Sequence, residues 1–291
     1  MPIIRTPALD LAYLDDGPVD GPTVIMVHGF PDNPSTWDRV HPDLPAGVRL
    51  IRPYLRGCGD SRLLQPDGPG GGAQVAALAQ DILDLADVLE LTRFTLVGHD
   101  WGARAAHATA VLAPERLTGL VTLSTAYGPM THLSPADRFA EASSAWYRYW
   151  LCTDRGAREF ALTASEFVEY AWREWSPGLR LSTSDTAALH ASFDNDLFAD
   201  LVVDYYRHGA GAAPGRDRYA TAQARLDEWP AIAVPTTFLL GLDDGCEVAA
   251  ASRGNGAYFT GGYERIELPG VGHFIQRERP DIVARAVAGH L

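Results

Sequence analysis

The pentapeptide Gly98-His99-Asp100-Trp101-Gly102 constrains this chain more than any other stretch. The apolar run Phe94-Thr95-Leu96-Val97 before it reads as a buried strand, and Ala103 to Leu112 after it reads as a helix. A strand, a glycine-flanked turn and a helix form a sharp elbow that presents the middle residue as a nucleophile. That residue is Asp100. A carboxylate with an ordinary pKa near ~3.9 is already an anion at neutral pH. It can displace a leaving group from a saturated carbon and leave an alkyl ester on the enzyme. The elbow therefore points to epoxides or carbon–halogen bonds ahead of ordinary esters. Helix N-capping is the structural alternative for Asp100, and the elements downstream argue against it.

Two of those elements lie near the C-terminus. Thr236 to Gly241 reads as a buried strand that ends in Leu242-Asp243-Asp244-Gly245. Tyr263 to Leu268 reads as another strand, followed by Gly270-Val271-Gly272-His273-Phe274 and a helix-like stretch from Pro280 to Leu291. The order is nucleophile, acid, histidine. Asp244 and Asp243 both stand where an acid could orient His273, and turn chemistry is the other explanation for an Asp-Asp-Gly sequence.

With 291 residues the chain has room for one large domain with an inserted segment. Residues 1–128 alternate strand and helix patterns, which predicts a mostly parallel sheet flanked by helices. Candidate strands are Leu9 to Tyr13, Val24 to Val27, Val48 to Arg52 and Leu120 to Ser124, with a helix over Val75 to Leu91. Residues 129–230 lose the strand runs and gather five tryptophans, which predicts a helical cap. Residues 231–291 return to the alternating pattern. Gly68-Pro69-Gly70-Gly71-Gly72 reads as a loop.

A net charge of −13 with no basic cluster argues against nucleic acid as a partner. No stretch reaches the ~20 apolar residues of a membrane span. Cys58, Cys152 and Cys246 form neither a disulfide framework nor a zinc spacing, and a reducing cytoplasm fits them. Cys58 and Cys246 read as small filler side chains in loops, because neither has a base beside it. The expectation is a cytoplasmic protein, monomeric or homodimeric, that takes a small-molecule substrate without cofactor or metal.

Taken together, His28-Gly29-Phe30-Pro31, Arg56-Gly57-Cys58-Gly59-Asp60-Ser61, the elbow and Gly272-His273 resemble the epoxide hydrolase and dehalogenase branch of the α/β-hydrolase superfamily. The match spans essentially the whole core and is weak in the cap. It implies the α/β-hydrolase fold with an inserted helical cap. It also implies a two-step mechanism: Asp100 attacks carbon, then His273 activates water against the resulting ester. The acid would be Asp244, with Asp243 the runner-up, since Thr125-Ala126-Tyr127 offers none. The backbone N–H groups of Phe30 and Trp101 would form the oxyanion hole.

Epoxide hydrolases of this branch open the ring with two cap tyrosines. Tyr147, in Trp146-Tyr147-Arg148-Tyr149-Trp150, matches the first. Leu189 falls at the second position, with His190 adjacent and Tyr205 and Tyr206 further on. In haloacetate dehalogenases two elbow-helix arginines hold a carboxylate; Arg104 matches the second, and Trp101 replaces the first. Arg148-Tyr149 stands where those enzymes place a His-Trp pair. Epoxide hydrolysis is thus the leading expectation, with dehalogenation the alternative. A non-enzymatic receptor on the same fold is a third reading, disfavoured because a receptor has no need of Asp100 and His273 together. His28 is expected to bond local backbone beneath the site, and His99 to point away from the substrate. Trp172 and Trp175 are expected to serve mainly in packing.

Overall fold

Runs rich in Val, Ile, Leu and Phe form the strands, as residues that fit a pleated surface should. The computed structural model describes residues 1–65 and 72–291; Gly68 to Gly71 of the expected glycine-rich loop lie outside the described residues. The strands are β1 (Ile3–Arg5), β2 (Leu9–Asp16), β3 (Thr23–Val27), β4 (Arg49–Pro53), β5 (Arg62–Leu63), β6 (Phe94–His99), β7 (Leu117–Leu123), β8 (Thr236–Gly241) and β9 (Tyr263–Leu268). Among the described residues they form one sheet in the order β1-β2-β4-β3-β6-β7-β8-β9, with β5 paired to β2. From β4 to β9 every pairing is parallel, whereas β2 is antiparallel to its neighbours.

Alternate residues of the central strands feed two cores, because strand side chains point to opposite faces in turn. Ile25, Val27 and Leu96 pack on one face with α1 (Val75–Val88) and α2 (Trp101–Leu112). Val24, Met26 and Val97 pack on the other face with Trp37 and, from the C-terminal helix, Val283 and Val287. Burial on both faces is what makes these strands read as continuous apolar runs.

Helical spacing predicts a helical segment over residues 129–230 without fixing its individual helices, and the named elements between β7 and β8 are all helical. The elements are α3 (Pro135–Ser144), α4 (Trp146–Cys152), α5 (Asp154–Trp175), α6 (Thr183–Phe193), α7 (Phe198–Gly209) and α8 (Ala220–Asp227), and α9 (Ile275–Glu278) and α10 (Pro280–Ala288) close the chain. Of these, α8 packs against α1 and α2 beside the sheet. Ser134 caps α3 and Ser182 caps α6, the latter with a reciprocal Asp185 bond. Trp172 and Tyr205 make two of the links that tie this helical segment to the rest of the fold. Trp172 Nε1 donates to the Pro31 carbonyl at 2.6 Å, and the Trp172 ring stacks on Phe274 at 3.5 Å. Arg56, fully buried, pairs with Asp81 through two bonds of 2.7 and 2.8 Å, while its carbonyl accepts from Tyr205 Oη. No helix among the described residues is long and apolar enough to cross a membrane.

Candidate active site

Parallel strands deliver their following loops to one edge of a sheet, and ligands gather at that edge. Here β3 leads to Gly29 and Phe30, β6 to Asp100, β8 to Asp244 and β9 to His273. Asp100 sits at φ 52° and ψ −115°, a backbone conformation that costs an ordinary L-residue about 1–3 kcal/mol. Close packing holds the elbow there. A Cβ on Gly102 would lie 2.2 Å from the Val27 carbonyl oxygen, and one on Gly29 would lie 2.5 Å from Asp100 Cβ.

The two oxygens of Asp100 have different surroundings. Oδ1 accepts the Phe30 N–H at 2.8 Å, and the carboxylate is also bonded by the Trp101 backbone. Oδ2 faces His273 Nε2 at 3.9 Å. Burial raises the Asp100 pKa, against His273 and the two backbone donors, which lower it.

His273 Nδ1 lies 2.8 Å from Asp244 Oδ2, and both side chains are fully buried. Oδ1 of Asp244 accepts the N–H groups of Cys246 at 2.7 Å and Glu247 at 2.9 Å. Asp243 is exposed, and its own N–H bonds the Val271 carbonyl. The structure therefore brings Asp244, not Asp243, to the histidine. Burial opposes a charge on His273, but the Asp244 and Asp100 carboxylates outweigh it and hold its pKa above the ordinary imidazole value. Asp244, Cys246 and His273 place three donor atoms within 4.8 Å of one another. Since His273 and Asp244 already satisfy each other, this cluster reads as a hydrogen-bonded relay rather than a metal site.

The backbone of His273 is pinned from three sides. Its N–H donates to the Trp175 carbonyl at 2.9 Å. Its carbonyl accepts from Ser124 Oγ at 2.8 Å and lies 3.1 Å from His99 Nε2. His99 is buried, and burial holds its pKa well below the usual value, so the neutral ring donates through Nε2. His28 is neutral for the same reason, with its pKa lowered to about 4. Its Nε2 accepts the Leu55 N–H, which leaves Nδ1 to donate to the Gly29 carbonyl at 2.8 Å. Both histidines bond backbone, the role expected of His28.

Among the cap candidates, Tyr147 and Tyr206 converge. Their rings are 5.4 Å apart and edge-on, and both are buried. The Tyr206 ring also lies 5.3 Å from Trp101 and 6.1 Å from Phe30. Its hydroxyl is buried with no acceptor for its proton. Burial, and then the charge of Asp100, push the Tyr206 pKa well above the ordinary value. Tyr147 Oη accepts from Arg148 Nε at 3.3 Å and lies 3.2 Å from Cys246 Sγ. Arg104 lies over the Trp101 ring at 5.2 Å, with Nη2 3.9 Å from Glu247 Oε1. It also lines an adjoining cavity of about 460 Å³ with His107, Tyr127, Leu226 and Trp229. His190 is not brought to this cluster: it sits half-exposed on α6, 3.3 Å from Glu169 of α5. Leu189, at the position aligned with the second acid, is buried in the apolar core.

A family model described as alpha/beta hydrolase fold matches residues 22–280. The chain belongs to this family. A solved structure from Klebsiella pneumoniae subsp. pneumoniae, provisionally named an epoxide hydrolase, is 34% identical with a TM-score of 0.90, covering 99% of this chain and 96% of that one. An epoxide hydrolase of Caballeronia sordidicola is 28% identical over 300 residues, which is 94% of this chain and 88% of its own. A fluoroacetate dehalogenase of a Burkholderia species is 35% identical over 133 residues, 45% of this chain and 42% of its own.

Sequence reasoning missed four contributors to this α/β-hydrolase site: Cys246, Glu247, Ser124 and the Trp175 carbonyl. The filler role expected for Cys246 is incomplete, since its sulfur touches Tyr147 Oη. Trp175 does more than pack, because its carbonyl also accepts the Gly245 N–H and so joins both loops of the site. Only the Asp-Asp-Gly-Cys-Glu turn itself carried a local signal.

Proposed function

We propose that this chain hydrolyses epoxides through a covalent ester on Asp100. The observation that carries the reading is the pair of buried tyrosines, Tyr147 and Tyr206, whose rings lie 5.4 Å apart, with Tyr206 against Trp101 and Phe30, the residues whose backbone bonds the Asp100 carboxylate. A carbon–halogen bond needs no proton on its leaving group, whereas an epoxide oxygen does.

In the first step Oδ2 of Asp100 attacks a ring carbon. The ring C–O bond breaks, and the oxygen takes a proton from a tyrosine. Oδ1 stays in the N–H pocket and becomes the ester carbonyl oxygen. In the second step His273 Nε2 removes a proton from water, which attacks that carbonyl. The N–H groups of Phe30 and Trp101 stabilise the oxyanion, and Asp244 holds the His273 tautomer and its positive charge. Buried aromatic groups around Phe30, from Phe160, Phe167, Trp175 and Phe198, supply an apolar wall for the substrate.

Dehalogenation of a small acid is the second reading. Arg104 beside Trp101 favours it, as does the partial match to a fluoroacetate dehalogenase. The three free cysteines, two of them buried, fit a reducing compartment. A cytoplasmic protein, monomeric or homodimeric, is the corresponding reading.

Turnover of styrene oxide to its diol, measured beside halide release from fluoro- and chloroacetate, tests the assignment. We expect diol formation, reduced about 10²-fold or more in Tyr147→Phe and Tyr206→Phe variants, as for loss of a positioned acid. Halide release without diol formation would move the assignment to the dehalogenases.

A further inference from the structure

The turn at residues 244–247 touches both ends of the proposed chemistry. Oδ1 of Asp244 holds the N–H groups of Cys246 and Glu247, while Oδ2 meets His273. The side chains of the same two residues face the cap. Cys246 Sγ lies 3.2 Å from Tyr147 Oη, and the buried Glu247 carboxylate accepts from Arg148 Nη2 at 2.5 Å. Arg148 is fixed on a second side by Glu141 at 3.3 Å, and its Nε donates to Tyr147 Oη at 3.3 Å. Arg148 thus occupies a lone pair of the tyrosine oxygen, and the hydroxyl's other contact is Cys246 Sγ, which a substrate oxygen would replace as the partner of the Tyr147 proton.

We propose that Arg148 is a positioning residue that aims the Tyr147 hydroxyl and stabilises the tyrosinate left when Tyr147 protonates an opening ring. The proposal rests on the reading of Tyr147 as a ring-opening acid. The step balances as follows. The new bond joins Asp100 Oδ2 to carbon and the ring C–O bond breaks. The ring oxygen takes the Tyr147 proton, so the negative charge of Asp100 passes to Tyr147 Oη. Arg148 receives that charge at a guanidinium already 3.3 Å away, in a half-buried setting where an ion pair is stronger than in water. Ester hydrolysis later releases Asp100 as a carboxylic acid, whose proton restores Tyr147. Glu247 keeps Arg148 in place and carries its position to Asp244, so the cap acid and the triad acid share one turn.

Single-turnover quenched flow with styrene oxide separates ester formation from ester hydrolysis. Arg148→Gln leaves Glu247 buried and unpaired, so the double variant Arg148→Gln/Glu247→Gln is measured with it, and thermal melting reports folding. Both variants are expected to slow ester formation about tenfold or more, part of the ~10²–10⁴ that a positioned acid contributes. In Arg148→Gln, ester hydrolysis should change less than about twofold, because His273 rather than Tyr147 activates the water in that step. In a Tyr147→Phe background the Arg148 substitution should have no further effect on ester formation. Equal slowing of both steps, or the same loss with and without Tyr147, would overturn the proposal and leave Arg148 a structural residue. Unchanged ester formation in Tyr147→Phe alone would instead remove Tyr147 as the acid.

Discussion

Asp100 and His273 meet through atoms whose surroundings differ, and that difference orders the proposed chemistry. Asp100 Oδ1 is held by Phe30 N–H, and Oδ2 faces the histidine. His273 must be neutral to act as a base, yet the facing carboxylates raise its pKa. Ester hydrolysis should therefore rise with pH through an acid limb set by His273, which burial lowers and Asp244 raises, the Asp100 charge being absent from the ester. Replacing Asp244 by Asn removes a raising influence and leaves burial, which lowers the pKa, so the limb should move to lower pH. The same change should slow hydrolysis by roughly 10²–10⁴-fold, the range for positioned acid–base groups. A pH series of single-turnover hydrolysis checks both, and a limb that moves upward in the Asn variant would contradict the relay. Asp100 and His273 were legible in the sequence because glycines flank them within a few residues. The acid was ambiguous between Asp243 and Asp244, because only folding exposes one and buries the other. Tyr206 stood among several candidates for a ring-opening acid. Its approach to Tyr147 and Phe30 is a contact between distant segments, and periodicity does not encode it.

At the scale of elements, the ends of β3, β6, β8 and β9 set the distances between loops that are far apart in sequence. Gly29 shows how little room they leave, since an added Cβ would lie 2.6 Å from Asp100 Oδ1. Gly29→Ala should abolish ester formation by displacing the nucleophile, while melting shows the fold retained; ester formation at the parent rate would show that the loop yields. The central strands were legible because they are apolar on both faces. The short strands β1 and β5 were not, since three and two residues with exposed side chains give no alternation to read. Helix α1 stops at Val88, before the expected Leu91, where Glu90 turns to φ 55°. Helix α2 starts at Trp101, two residues earlier than its pattern suggests, because the strained Asp100 already turns the chain into it.

Across the whole molecule, the helices between β7 and β8 supply the proposed acids and the sheet supplies the nucleophile and base. Trp172 on Pro31 and Tyr205 on Arg56 hold the two together. The sequence marked that helical segment by its lost strand pattern, but α8 lies on α1 and α2 although it falls inside the same segment. Aromatic residues there looked interchangeable because each is a large apolar group. Their roles separate only through contacts, with Trp172 stacked on Phe274 and Tyr206 set against Trp101. The proposal that unites these parts is a covalent ester on Asp100, hydrolysed by His273. Intact-mass measurement of the His273→Gln protein incubated with styrene oxide tests it most directly. Accumulation of one substrate mass, mapped by peptide analysis to Asp100, is the expected result. Normal turnover by that variant, or an adduct on another residue, would contradict it.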